Sequence, residues 1–137
     1  MTDHTDTDAA GTEALRQRLS TAPPREVRAA IRSNAWTGTT HGLARGHVHA
    51  NIAIVPEAYA LDFMRFCQRN PKPCPILDVT DTGDPEFARI APGSDIRTDL
   101  SGYSTYRDGV STGTAHDITD LWRGDLVAFA MGCSLSF

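Results

Sequence analysis

The 137-residue chain carries 13 basic and 17 acidic side chains, a net charge of −4, with 40% hydrophobic and 22% charged residues. That balance excludes a wholly disordered, collagen-like or coiled-coil protein, and the length suits one domain with a core of its own. The acidic excess opposes nucleic-acid binding, and no apolar run approaches the ~20 residues that cross a bilayer, so no nucleic acid and no membrane are expected as partners.

Residues 1–12 hold Asp3, Asp6, Asp8 and four threonines. They read as a disordered tail, too polar and acidic for a secretory or transit leader. Thr12 is placed to cap a helix over Glu13–Ser20, with Leu15 and Leu19 on one face. Pro23-Pro24 opens a second helix, because proline fits a first turn. Its apolar stripe is Val27, Ala30 and Ile31, with Arg25, Arg28 and Arg32 on the remaining surface. Gly38–Gly46 is loop. Alternation then predicts a strand over Val48–Val55, with Val48, Ala50, Ile52 and Ile54 on one face and His49, Asn51 and Ala53 on the other, behind His47. Pro56 starts a helix over Glu57–Gln68. Tyr59, Leu61, Phe63, Met64, Phe66 and Cys67 make it apolar over more than half its circumference, as for a helix buried on two sides or packed on a sheet. Pro71, Pro73 and Pro75 form a rigid connector to a short strand, Ile76–Thr80, and the three elements together read as a βαβ unit.

Asp81–Pro85 is turn chemistry, and residues 86–100 show no period. Tyr103–Arg107, Asp108-Gly109 and Val110–Thr112 spell a β-hairpin with a two-residue turn. Asp117–Gly124 is polar around Leu121 and Trp122. From Asp125 a helix is predicted, bearing Leu126, Val127, Phe129, Ala130 and Met131 and running into Phe137. Ending on an apolar helix reads as a truncated chain, or a half that needs a partner. It would expose Val127, Phe129 and Met131 and drive homo-oligomerisation. The fold class expected is α/β with some α+β character: a mixed sheet holding the βαβ unit, plus the hairpin. Three cysteines, Cys67, Cys74 and Cys133, are an odd set for a secreted disulfide framework, so reduced thiols in a cytoplasmic protein are expected. Six residues separate Cys67 from Cys74, unlike a zinc knuckle, and the apolar flanks of Cys67 and Cys133 suit buried structural thiols.

Several of these segments carry a resemblance. The run His41-Gly-Leu-Ala-Arg-Gly-His-Val-His-Ala-Asn51 with Ile52–Pro56 is similar to the glycine-rich loop and first strand of the hydro-lyase family that includes D-glutamate cyclase. Phe63-Met-Arg-Phe-Cys-Gln-Arg-Asn-Pro-Lys-Pro-Cys-Pro75 resembles that family's most recognisable run. Asp95–Leu100, Tyr103–Gly109, Asp117–Phe129 and Gly132–Phe137 follow in the family's order, so the resemblance covers about residues 24–137. Arg45 stands where the family usually has proline, and His47 and His49 where it has an aromatic residue and a glutamine. The last difference puts a substrate contact at His49 in doubt. The resemblance implies a two-lobed α/β protein about twice this length, of which residues 13–137 form the N-terminal portion. It implies cyclisation of D-glutamate to 5-oxo-D-proline with loss of water.

Such a reaction is intramolecular and needs a cation for a carboxylate, a base for the ammonium and donors for the departing oxygen; it demands no cofactor and no metal. Arg97 is the candidate carboxylate clamp, or else a surface arginine paired to Asp95 or Asp99. Asp99 is the candidate base, or else a turn or cap residue. Asn51 on the first strand, Thr98 beside Arg97, and Arg69 and Asn70 at the end of the main helix complete the candidate substrate-binding set. The everyday reading of Arg69-Asn70 is a helix C-cap and dipole partner. Ser134 lacks a visible base. His47 and His49, about 7 Å apart on one strand face, could share a metal, but the resemblance has no such pair. Two function classes stand: a lyase acting on a small-molecule substrate, an amino acid or hydroxy acid, and a non-catalytic remnant or split subunit that needs a second half.

Overall fold

The computed structural model describes residues 3–132. They fall into two compact units, one running to His47 and joined by Asp99–His116, the other made of Val48–Thr98 and the described residues from Asp117 on.

The first unit starts with α1, Asp3–Ser20, which begins ten residues before the expected start at Glu13 and covers residues 3–12 where a tail without structure was predicted. Thr12 is therefore interior and caps nothing. Its hydroxyl donates back to the Asp8 carbonyl (2.8 Å), four residues earlier, which lets a threonine sit within a helix. Ala9, Ala10, Glu13 and Ala14 are good helix formers around it. α2 spans Pro24–Arg32 as expected, with proline in its first turn and Val27, Ala30 and Ile31 buried. At its C-terminal end Asn34 takes a left-handed φ of 63°, the Ser33 and Asn34 amides donate to Ala29 and Ile31, and those of Ala35 and Trp36 both donate to Ala30. The core of this unit joins Leu19, Val27, Ala30, Ile31, Trp36, Leu43 and Ala44. Trp36 donates its indole N–H to the Thr39 carbonyl (3.1 Å), and the Arg16 guanidinium lies 5.0 Å over its ring.

The glycine-rich loop docks on the end of α1. The Ala44 and Arg45 amides donate to the Leu19 and Ser20 carbonyls (2.9 and 2.8 Å), two groups the helix itself leaves unsatisfied. Gly42 and Gly46 hold positive φ on either side, and Leu43 is driven into the core. β3, Tyr103–Arg107, and β4, Val110–Ala115, form the expected hairpin. Asp108 and Gly109 take φ of 52° and 78°, the paired left-handed geometry that suits a twisted two-residue turn.

The second unit is built on a sheet in the order β1-β5-β2. β1 is Ala50–Pro56, β2 is Ile76–Val79 and β5 is Leu126–Gly132. β1 and β2 each run antiparallel to β5 and hence parallel to one another, with α3, Glu57–Arg69, connecting them. The expected βαβ unit is present, and β5 lies between its two strands. The α/β class with a separate hairpin is thus the observed one.

β5 corrects the helix predicted from Asp125. Leu126–Ala130 are all buried, because the strand is paired on both edges and covered on its faces. A central strand of this kind is apolar at every position, so its sequence has neither a period of 2 nor one of 3.6 to read. Val127 and Phe129 are core residues, which removes the exposed patch expected there. The rest of that predicted helix, with Cys133 and Ser134, lies outside the described residues.

α3 packs on the sheet through Phe63, whose ring meets Phe129 edge-on at 4.8 Å, and through the fully buried Cys67. Tyr59, Leu61 and Phe66 face solvent. Beyond β2 the chain is fastened by polar contacts. Thr80 donates its amide to the Ala128 carbonyl and accepts the Ala128 N–H on its hydroxyl, both at 3.0 Å. Buried Asp78 accepts the amides of Val79 and Arg89. The aperiodic stretch after Asp84 is a closed loop: Phe87 and Ile96 plug it, and the Ile96 amide donates to Pro85 O (2.8 Å).

Candidate functional site

The closed loop leads into the turn that carries Arg97. Asp95 Oδ1 accepts the Arg97 amide (3.0 Å), and the carboxylate is forked by the same residue's side chain, Nε to Oδ1 and Nη2 to Oδ2, both at 2.9 Å. The Thr98 amide donates to the Asp95 carbonyl (3.2 Å), closing the turn. Next in space comes Asp117. The Arg97 carbonyl accepts the Ile118 amide (3.0 Å), which brings 117–119 against the turn. Asp117 Oδ1 in turn accepts the Thr119 amide (2.7 Å).

The electrostatics follow from that arrangement. The hydrogen bonds that Arg97 donates to Asp95, and the charge of that carboxylate, raise the Arg97 pKa further above its ordinary value. Asp117 is held below the usual carboxylate range, first by the hydrogen bonds from Thr119, with Arg97 adding attraction and Asp95 opposing it. The cluster sets the Arg97 guanidinium on the Asp95 carboxylate, with the charge of Asp117 acting on it as well. The Asp95 fork uses one edge of the planar group, and the Nη1 side lies outside that fork. A cation held in this way is oriented in advance for a second, bidentate anion.

Asp99, the expected base, belongs to the other unit. Its side chain is 2% exposed and is forked by Arg32, Nε to Oδ1 at 2.8 Å and Nη2 to Oδ2 at 2.7 Å. Both carboxylate oxygens of Asp99 meet the guanidinium of Arg32 in a charge-assisted pair. Arg32 itself lies on the polar face of α2, where the sequence shows only a solvated charge. Its partner is 67 positions away, beyond any local pattern.

Asn51, Asn70 and Arg69 have their own local settings. Asn51 is exposed on β1 opposite Met131. Asn70 is the C-cap of α3: its side-chain amide donates to Phe66 O (2.8 Å) and its backbone amide to Cys67 O (3.1 Å). Arg69 is exposed in the last helical turn, favourably placed for the helix dipole. Among the described residues no hydrogen bond or ion pair joins Asn51, Arg69 or Asn70 to Asp95, Arg97 or Asp117. His47 and His49 precede β1, so they do not share a strand face, and His47 Nδ1 contacts Ala44 O (3.2 Å). Among the described residues no group of three His, Cys, Asp or Glu is placed to hold a metal ion.

The sequence reading missed Arg32 and Asp117. Asp117 did have a local signal: Asp-Ile-Thr is the spacing at which an aspartate accepts the amide two residues on.

No family model matches the chain. Curated relatives do. A protein of Ruegeria pomeroyi named "Putative hydro-lyase" is 56% identical over 120 residues, 88% of this chain and 44% of its own length. Relatives of the same name from Dinoroseobacter shibae and a Jannaschia species are each 54% identical, over 93% and 86% of this chain. The chain belongs to this hydro-lyase family. It spans 42–44% of the length of these three hydro-lyase relatives. The largest of these matches covers 127 of the 137 residues, so it necessarily includes most of both compact units. No described helix of the chain is long and apolar enough to cross a membrane.

Proposed function

We propose that the whole protein is a hydro-lyase acting on a small amino acid or hydroxy acid, and that its reaction is the cyclisation of D-glutamate to 5-oxo-D-proline with release of water. The observation that carries this reading is the 54–56% identity to proteins named as hydro-lyases over most of the chain. D-glutamate itself comes from the family resemblance of the Phe63–Pro75 and Asp95–Leu100 segments.

In this reaction the substrate amine attacks its own side-chain carboxyl carbon, a C–N bond forms, and one carboxyl oxygen leaves as water. Two carboxylates have to be held and the chain curled into a ring, so positioning supplies much of the rate. Arg97 supplies the cation: its guanidinium is fixed by Asp95 and its outer side can fork onto the substrate carboxylate that does not react. Asp99 holds Arg32 in place, a second cation on the same polypeptide. Thr98 shapes the turn between the two arginine–aspartate pairs. Asn51, Arg69 and Asn70 are the further proposed substrate-binding residues.

The test is incubation of the full-length protein with D-glutamate, L-glutamate and a 2-hydroxy acid, followed by chromatography of the products. 5-Oxo-D-proline from D-glutamate alone is the expected result. Dehydration of the hydroxy acid with no 5-oxoproline would keep the lyase and reject the cyclase. No product from any substrate would reject both.

A further inference from the structure

We infer that Cys67 and Cys74 form a redox-sensitive pair, a modification site at which a low-molecular-weight disulfide such as oxidised glutathione closes an intramolecular disulfide across the end of α3. The observation is a juxtaposition. The helix ends at Arg69, Asn70 caps it by donating to Cys67 O, and the Asn70 carbonyl then accepts the Cys74 amide (3.0 Å). Those two backbone bonds fold residues 67–74 back on themselves. They return Cys74 to the end of the helix that carries Cys67, near enough for the two thiols to influence each other electrostatically. Both are free thiols, Cys67 1% exposed and Cys74 partly accessible. The proline-framed run Pro71-Lys-Pro-Cys-Pro75 limits the backbone freedom of the returning segment, so the approach is built into the connector.

The two thiols are chemically unequal. Burial pushes the Cys67 thiol up, and the neighbouring Cys74 adds to the effect. Cys74 is the accessible group and attacks first. Its thiolate takes one sulfur of oxidised glutathione, forming a mixed disulfide and releasing one glutathione thiolate. Cys67, as its thiolate, then attacks the Cys74 sulfur and displaces the second glutathione. Two protein thiols are oxidised, one glutathione disulfide is reduced to two glutathione thiols, and two protons leave the cysteines. In a reducing compartment such a bond is transient, which suits a sensing pair better than a permanent staple.

The bond would tie the last turn of α3 to the entry of β2 and fix Arg69-Asn70 between its two ends. Closing a short native-like loop raises thermal stability, here by roughly 5 °C, and dithiothreitol reverses the rise.

The experiment treats the 137-residue chain with oxidised glutathione, blocks remaining thiols, digests with trypsin and identifies disulfide-linked peptides. Cleavage after Arg65, Arg69 and Arg89 puts Cys67 in Phe66–Arg69 and Cys74 in Asn70–Arg89. The expected product is these two peptides joined, with Cys133 still alkylated. Cys74→Ser should slow oxidation of Cys67 by roughly tenfold or more, because the accessible attacker is gone. Cys67→Ser should leave glutathione on Cys74 with no onward step. Glutathione accumulating on Cys74 in the unmodified chain would overturn the proposal, and so would a disulfide to Cys133 or Cys67 oxidised equally fast in Cys74→Ser. Cys74 is only partly buried, so the Cys74→Ser arm remains readable if Cys67→Ser fails to fold.

Discussion

At the scale of single residues, the decisive fact is that Arg97 and Arg32 are each already held by a carboxylate. Arg97 is fixed by Asp95 beside it and Arg32 by the distant Asp99. If Arg97 clamps a substrate carboxylate, Arg97→Ala in the full-length enzyme should lower kcat/KM on the order of a hundredfold, and Arg97→Lys should restore part of it, because an ammonium cannot fork. An unchanged rate in Arg97→Ala would sink the clamp and turn attention to Arg32. Asp99→Asn tests the other pair. It replaces a buried carboxylate by an amide, and about 1–3 kcal/mol of stability should go, measured by urea unfolding. Thr80→Val isolates one hydrogen bond: it is nearly isosteric but strands the Ala128 N–H, so it should cost about 1–3 kcal/mol, while Thr80→Ser should retain most of it. Asp117 gives the pH dependence. Its folded pKa lies below the ordinary value near 3.9, so its contribution is present above that pH and is lost as pH falls through the folded value. Acid unfolding of Asp117→Ala should therefore be flatter below about pH 4 than that of the parent chain.

At the scale of elements, turns are where a single side chain has most effect. Gly83 has φ of +82°, its amide donates to Leu126 O (2.7 Å), and a Cβ there would lie 2.7 Å from the Gly124 carbonyl oxygen. Gly83→Ala should cost about 2 kcal/mol or more and lower the melting temperature; a value under half that would mean the backbone relaxes freely. Legibility of the fold follows the same physics. α2, α3, β2 and the hairpin could be read because proline, the Asp108-Gly109 turn and clear apolar spacing mark them locally. β5 could not, because its identity depends on β1, some 70 residues earlier, and on β2 pairing along its two edges. The Asp95–Arg97 pair was readable from a two-residue spacing. The Arg32–Asp99 pair was not, since it is made by the return of the chain after the Val48–Thr98 stretch of the second unit. The start of α1 was misread because a threonine that bonds backward and a threonine that caps look alike in sequence.

At the scale of the whole molecule, the question is how much of a pocket these residues can provide. The apolar patch expected at Val127, Phe129 and Met131 is not exposed, since the first two are core and the third is half-buried. The large apolar side chains that do face solvent include Val48, Tyr59, Leu61 and Phe66, and Leu61→Glu should change the stability of this chain by no more than about 0.5 kcal/mol. Phe129→Ala, by contrast, should remove about 3–5 kcal/mol. Catalysis scales differently. Cyclising glutamate requires one carboxylate to be clamped, the other to lose an oxygen and the ammonium to lose a proton, three tasks for which Arg97 supplies one oriented cation. The two carboxylates beside it are engaged, Asp95 by the Arg97 fork and Asp117 by Thr119. Asp117 is moreover held as a weak base. The relatives have more than half their length beyond the matched region, room for the remaining groups. The 137 residues alone should therefore bind D-glutamate weakly and form little or no 5-oxoproline, and the full-length protein should turn it over. Comparing the two by chromatography at equal concentration decides the matter: clear turnover by the short chain would place all three tasks within its own two units and would require a base other than Asp95 and Asp117.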